Sequence, residues 1–112
     1  MSPKQKQDGD VGLAEPKTKA KPKLERPKLW KAVIHNDDYT PREFVVLVLR
    51  EIFHRSEADS MAIMLHAESH GFAVAGVYTF EVAETKVAET MAIADKAGFP
   101  FLCTLEPDDA PQ

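Results

Sequence analysis

The chain has 112 residues, enough for one domain with a modest core, and 44% of them are hydrophobic, as in an ordinary globular protein. Its net charge of −4 conceals a split: residues 1–28 hold eight Lys and Arg against four Asp and Glu, whereas residues 29–112 hold six against fourteen. The acidic folding part argues against nucleic acid and anionic membrane as partners, no apolar run is long enough to span a bilayer, and a single cysteine excludes an internal disulfide.

Residues 1–28 carry four prolines, many lysines and almost no large apolar side chain, so they are expected to form a disordered N-terminal extension. They lack the apolar segment of a signal peptide and the pattern of an organelle transit peptide, which with the lone cysteine fits a cytoplasmic protein. From Leu29 the pattern changes. LWKAVIH alternates and is rich in strand formers, predicting a strand through His35. In the next stretch, Thr40 can cap a helix, Pro41 suits its first turn, and Glu43 completes a T-x-x-E capping box. The run PREFVVLVLREIFH is apolar almost all round, predicting a well-buried helix.

Ser56 with Asp59 starts a second helix, SEADSMAIMLHAESHG, with Met61, Met64 and Leu65 on its apolar face and Gly71 as its stop. AVAGVYTF reads as the second strand. A third helix, EVAETKVAETMAIADKAG, is expected to turn Val82, Val87, Met91 and Ile93 inward and to end at Gly98. PFLCTLEP is the last strand, with Cys103 read as a small buried hydrophobe, and residues 107–112 are expected to fray. The order βααβαβ gives an α+β sandwich: three helices over a three-stranded antiparallel sheet spanning residues 29–106.

Chemistry concentrates at the first turn, where Asn36, Asp37 and Asp38 stand in a row between a strand end and a helix start. One of them is accounted for as a turn former. Three exceed what a turn requires, and a carboxylate with an amide oxygen can receive the three N–H donors of an ammonium group. A calcium site would need about six to eight oxygen ligands at fixed spacing, which DDYTPREF does not provide. His66 and His70 have a helical metal pair's spacing, yet no third ligand accompanies them, and no nucleophilic triad or phosphate-cradling glycine loop appears. No metal, cofactor or catalytic residue is expected.

NDDYTP, followed by GVYTFEVAETK and LCTLE, resembles the ClpS family, adaptors that deliver N-degron substrates to the ClpAP protease. The likeness runs without a gap from about Leu29 to Glu106. It implies a non-enzymatic, monomeric adaptor for proteins beginning with Leu, Phe, Tyr or Trp. By the resemblance, Asn36 and Asp38 hold the substrate's α-amino group, Asp37 and Thr40 shape the rim, and Val45, Met64, Ala67 and Phe101 line the side-chain pocket. Glu81 and Lys86 correspond to positions that dock on the N-terminal domain of the ClpA unfoldase. Two positions depart from the pattern. Glu68 falls where the family has an amine-binding histidine, and it is expected to act as a modified amine contact. Arg42 replaces a methionine frequent at the pocket gate, and is expected to lean over the pocket or pair with an acid. The alternative reading is a regulator that docks on the unfoldase with weak or altered N-degron binding.

Overall fold

The computed structural model describes residues 26–109. The predicted element order holds: β1 (Leu29–His35), α1 (Arg42–Glu51), α2 (Glu57–His70), β2 (Phe72–Thr79), α3 (Phe80–Ala97) and β3 (Leu102–Pro107). Apart from 26–28, the expected disordered extension lies outside the described residues. Past Glu106, β3 still pairs Pro107 with Trp30, and the Asp108 N–H donates to the Leu29 carbonyl at 2.9 Å.

The sheet runs β2-β1-β3 with both pairings antiparallel. Ile34 in the central strand lies between Ala73 and Cys103, and Ala32 lies between Gly76 and Leu105. Ala32, Ile34, Ala73, Ala75 and Cys103 join one core cluster with Phe44, Val48 and Leu49 of α1, Met64 and Ala67 of α2, and Ala94 of α3. Small side chains on this face of the sheet let the helices approach closely, so large aliphatics are needed only in the middle. Cys103 is buried as expected, and burial pushes its thiol up to about 12, so the sulfur stays protonated and inert.

Register shifts once, between Ala32 and Val33, because β2 carries one extra residue there. Beside the bulge, a Cβ on Gly76 would run into the Tyr78 ring. Glycine at this point is therefore what lets the ring lie against the sheet.

Helix ends follow local chemistry. The Ser56 hydroxyl accepts from the Asp59 N–H at 3.0 Å, and Gly71 and Gly98 close α2 and α3 in the left-handed conformation. The start of α1 differs from expectation. Pro41, extended at φ −65° and ψ 146°, is the cap residue, and no side chain caps the helix. Thr40 falls one residue before the cap, and its hydroxyl is oriented to donate to Asp37 at 2.9 Å.

Helix facing is the second correction. Leu47, Met61, Leu65 and Val82 are exposed rather than buried. In α2 the inward positions are Ser60, Met64 and Ala67, and in α3 they are Ala83, Thr90 and Ala94. Small residues make these contacts, so the largest apolar side chains do not mark the buried face. The predicted Val87, Met91 and Ile93 are partly buried against the core.

Candidate functional site

The turn after β1 is organised by one aspartate. Asp37 Oδ1 accepts from the backbone N–H groups of Tyr39 (2.8 Å) and Thr40 (2.7 Å), and Oδ2 accepts from the Thr40 hydroxyl. Burial acts to raise the Asp37 pKa, but these three hydrogen bonds outweigh it and hold the carboxyl below its ordinary range. Both oxygens are thus committed to the turn. The Asn36 N–H is anchored across the fold, donating to the Gly71 carbonyl at 2.9 Å, so the end of α2 fixes where the turn begins.

Beyond the turn, α1 opens with Arg42. A cation at a helix N-terminus opposes the macrodipole, so this placement needs compensation. Glu68 of α2 supplies it: Arg42 Nε lies 2.7 Å from one carboxylate oxygen and Nη2 lies 2.8 Å from the other. The fork is bidentate, and the hydrogen bond to Glu68, reinforced by its charge, raises the Arg42 pKa further. The expectation that Arg42 pairs with an acid is met, and that acid is the second of the two departures.

These side chains surround one recess. Asn36, Asp37, Thr40 and Arg42 line it from the turn and α1, Glu68 from α2, and Val45, Met64, Ala67 and Phe101 from the apolar side. Ile34 and His35, at the end of β1, complete the wall and were not foreseen. The signal for them was available: a strand that ends at a binding turn presents its last residues to whatever binds there. The His35 ring is held by Thr104, whose hydroxyl donates onward to Glu106 at 3.1 Å and so accepts from His35 Nε2–H at 2.8 Å.

Asp38 is placed differently from its neighbours. It is exposed, lies outside the lining, and forms no hydrogen bond or ion pair among the described residues. The turn therefore separates its two acids: Asp37 is spent on structure, and Asp38 remains a free anion at the lip. The recess is small, about 40 Å³, room for roughly three waters.

The second predicted surface lies at the other end of α1. Lys86 Nζ donates to the Ile52 carbonyl at 2.6 Å, at the frayed end of α1, and sits 5.4 Å from the Tyr78 ring centre and 6.0 Å from that of Phe53. Glu81 is exposed and makes no ion pair with Lys86. Both line a broad groove with Glu51, His54, Val82 and Glu89.

His66 and His70 stack with ring centres 4.0 Å apart, and His70 Nδ1 lies 3.1 Å from the His66 carbonyl. Among the described residues no His, Cys, Asp and Glu group is arranged to hold a metal ion. No helix among them is long and apolar enough to cross a membrane.

Residues 25–104 match the profile of the ATP-dependent Clp protease adaptor protein ClpS. The ClpS adapter of Myxococcus xanthus is 51% identical over 89 residues, covering 80% of this chain and 83% of that protein. That of Phenylobacterium zucineum is 45% identical over 109 residues, covering 96% of this chain and all of its own length. Among solved structures, Agrobacterium tumefaciens ClpS2 bound to L-phenylalaninamide superposes with a TM-score of 0.71 at 46% identity, over 74% of this chain and all of that one. Sequence and fold agree, and the chain belongs to the ClpS family of Clp protease adaptors, which are not enzymes.

Proposed function

We propose that this adaptor binds proteins whose first residue is Leu, Phe, Tyr or Trp, through their free α-amino group, and delivers them to a ClpA-type unfoldase of ClpAP. It acts as a cytoplasmic monomer. The observation that carries this reading is the convergence of Asn36 and Glu68 on a recess whose other side is walled by Val45, Met64, Ala67 and Phe101. Asn36 contributes an amide oxygen. Glu68 retains acceptor capacity on each oxygen beside the Arg42 fork, and Asp38 supplies the free negative charge by turning in from the lip. Charged acceptors left unpaired by a blocked N-terminus impose the selectivity for a free amine. The ligand of the Agrobacterium protein, an amino-acid amide with a free amine and an aromatic side chain, has the same chemistry.

With the mouth barred by Arg42 and Glu68, the void is too small for a benzyl group. Binding therefore requires Met64 to change rotamer or the exposed pair to shift, and both are flexible side chains. Docking on the unfoldase uses the outer face of α3, with Glu81 as its free charge and Lys86 offering the donors not given to Ile52. The small void also favours a second reading, a regulator that docks through α3 with altered N-degron affinity.

Fluorescence anisotropy with peptides differing only at their first residue (Leu, Phe, Tyr, Trp, Ala and acetylated Phe) separates the two. Binding of the bulky residues with loss on acetylation is the expected result. No binding by any peptide at high concentration of folded protein gives the docking-only regulator.

A further inference from the structure

A second groove lies against the recess, along the seam between α1 and α2. Its floor is apolar: Val46 and Leu47 from α1, Met61 and Met64 from α2. Leu47 and Met61 are 46% and 41% exposed, an uncovered aliphatic patch of two large side chains. The groove measures about 450 Å³, and its ends are marked by Arg42 and Arg50.

Three observations tie it to a ligand. First, it is continuous with the recess, because Arg42 and Met64 belong to both linings. A chain whose first residue fills the recess leaves over the Arg42–Glu68 pair and meets this seam. Second, the groove offers one unpartnered cation: its lining holds Arg42, Arg50 and the acid Glu43. Arg55 and Lys86 are folded onto the carbonyls of Ala75 and Ile52, and Arg42 is paired with Glu68. Arg50, by contrast, is exposed and makes no hydrogen bond or ion pair among the described residues. Third, the spacing suits an extended peptide. Arg42 and Arg50 are eight residues apart on the helix, about 12 Å at 1.5 Å per residue. An extended chain at about 3.3 Å per residue covers that length in roughly four residues.

We propose that this groove is a second binding site for the substrate chain beyond its first residue. It takes apolar side chains at about the third and fourth residues, over Val46, Leu47 and Met61, and a carboxylate near the fifth or sixth, at Arg50. The inference deepens the proposed function and rests on it, because the recess sets where the chain begins. Selectivity then extends past the terminal residue: termini followed by an apolar-acidic stretch are favoured over those followed by polar or basic residues.

The test uses the full chain and two fluorescent peptides, one opening Phe-Ser-Leu-Leu-Ser-Glu and the other Phe-Ser-Ser-Ser-Ser-Lys. The first is expected to bind about tenfold more tightly, from a rim ion pair and partial apolar burial together. Arg50→Glu and Leu47→Ser, both at exposed positions, are expected to remove most of that ratio: both weaken the first peptide, and Arg50→Glu also strengthens the second, whose Lys then meets a carboxylate. Equal affinities in the unaltered protein, or a ratio that survives both substitutions, overturns the proposal. A rise in affinity for both peptides alike in Leu47→Ser gives the groove to another occupant, the chain's own N-terminal residues or a second copy, and also overturns it. Acetylated versions of both peptides test the recess separately. Binding indifferent to acetylation but sensitive to Arg50→Glu overturns the recess reading, and with it the continuity on which this inference stands.

Discussion

The two ends of α1 handle charge in opposite ways. At its start, a cation in an unfavourable place is neutralised by an anion from another helix, and the pair remains exposed at the mouth of a recess. At its end, Lys86 reaches over two aromatic rings to the Ile52 carbonyl, where it satisfies a helix end and leaves acidic neighbours unpaired. The first arrangement contributes little to folding, because an exposed ion pair gains little over water. The second completes a helix end whose earlier carbonyls the backbone already satisfies. Cationic side chains thus stand exposed at a recess at one end and brace the fold at the other, and exposure with hydrogen-bond partner tells the two apart.

That contrast makes separable predictions. At the recess end the effects are on affinity. Acetylating the first residue of a Phe peptide is expected to weaken binding about a hundredfold, and Asp38→Ala about tenfold, with thermal stability unchanged. Anisotropy titrations beside a melting curve read both, and unchanged affinity in Asp38→Ala removes that residue from amine capture. The Arg42–Glu68 pair gives a finer cut. Glu68→Gln strands a cation at the mouth and is expected to lower affinity severalfold, whereas Arg42→Met frees the carboxylate and raises it. The double variant then returns toward the starting affinity, since the pair acts as a neutral unit. A double variant that keeps the full loss of Glu68→Gln would mean that the carboxylate itself, and not the balance of the pair, carries the effect.

At the other end the effects are on stability. Lys86→Met removes the hydrogen bond to Ile52 and the contacts with Tyr78 and Phe53, and is expected to cost about 1–2 kcal/mol in urea unfolding. Glu81→Ala, on the same helix but exposed, is expected to change stability by less than about 0.5 kcal/mol while weakening unfoldase docking. Equal stability losses in the two variants would erase the distinction between architectural and docking charge.

How much of this was readable in the chain follows from the range of each interaction. The strand LWKAVIH, the Ser56 cap and the stops at Gly71 and Gly98 depend on residues within one turn of each other, and all appear where the pattern places them. The Asp37 turn is equally local, and the Asx run announced it. What failed was facing. Apolarity points to Met61, Leu65 and Val82, but close helix packing selects Ser60, Ala67, Ala83 and Thr90, whose small size is what counts. Thr90 is tolerated at 0% exposure because its hydroxyl donates to the Lys86 carbonyl at 2.8 Å. Part of the recess lining was legible through the resemblance, which missed Ile34 and His35 and included Asp38, whereas the partnership of Arg42 with Glu68 spans 26 residues and that of Lys86 with Ile52 spans 34. Periodicity and spacing carry no information about such pairs, and only the packed helices bring them together.

The last effect concerns Asp37, the acid committed to the turn. Asp37 has its folded pKa depressed, so its ionised form contributes stability above the unfolded carboxylate value of about 3.9, and this contribution is lost as pH falls through the lower folded value. Asp37→Asn keeps one acceptor oxygen for the Tyr39 and Thr40 N–H groups but loses the one that takes the Thr40 hydroxyl. It is expected to cost about 1 kcal/mol near neutral pH. As pH falls through the depressed folded value the difference should shrink, because the aspartate of the unaltered chain is then protonated and binds the turn no better than the amide. Urea midpoints measured from pH 6 down to pH 2 check the sign directly. A gap that persists at pH 2 would place the loss in turn geometry rather than charge, and would return Asp37 to the pool of anions available to a bound amine.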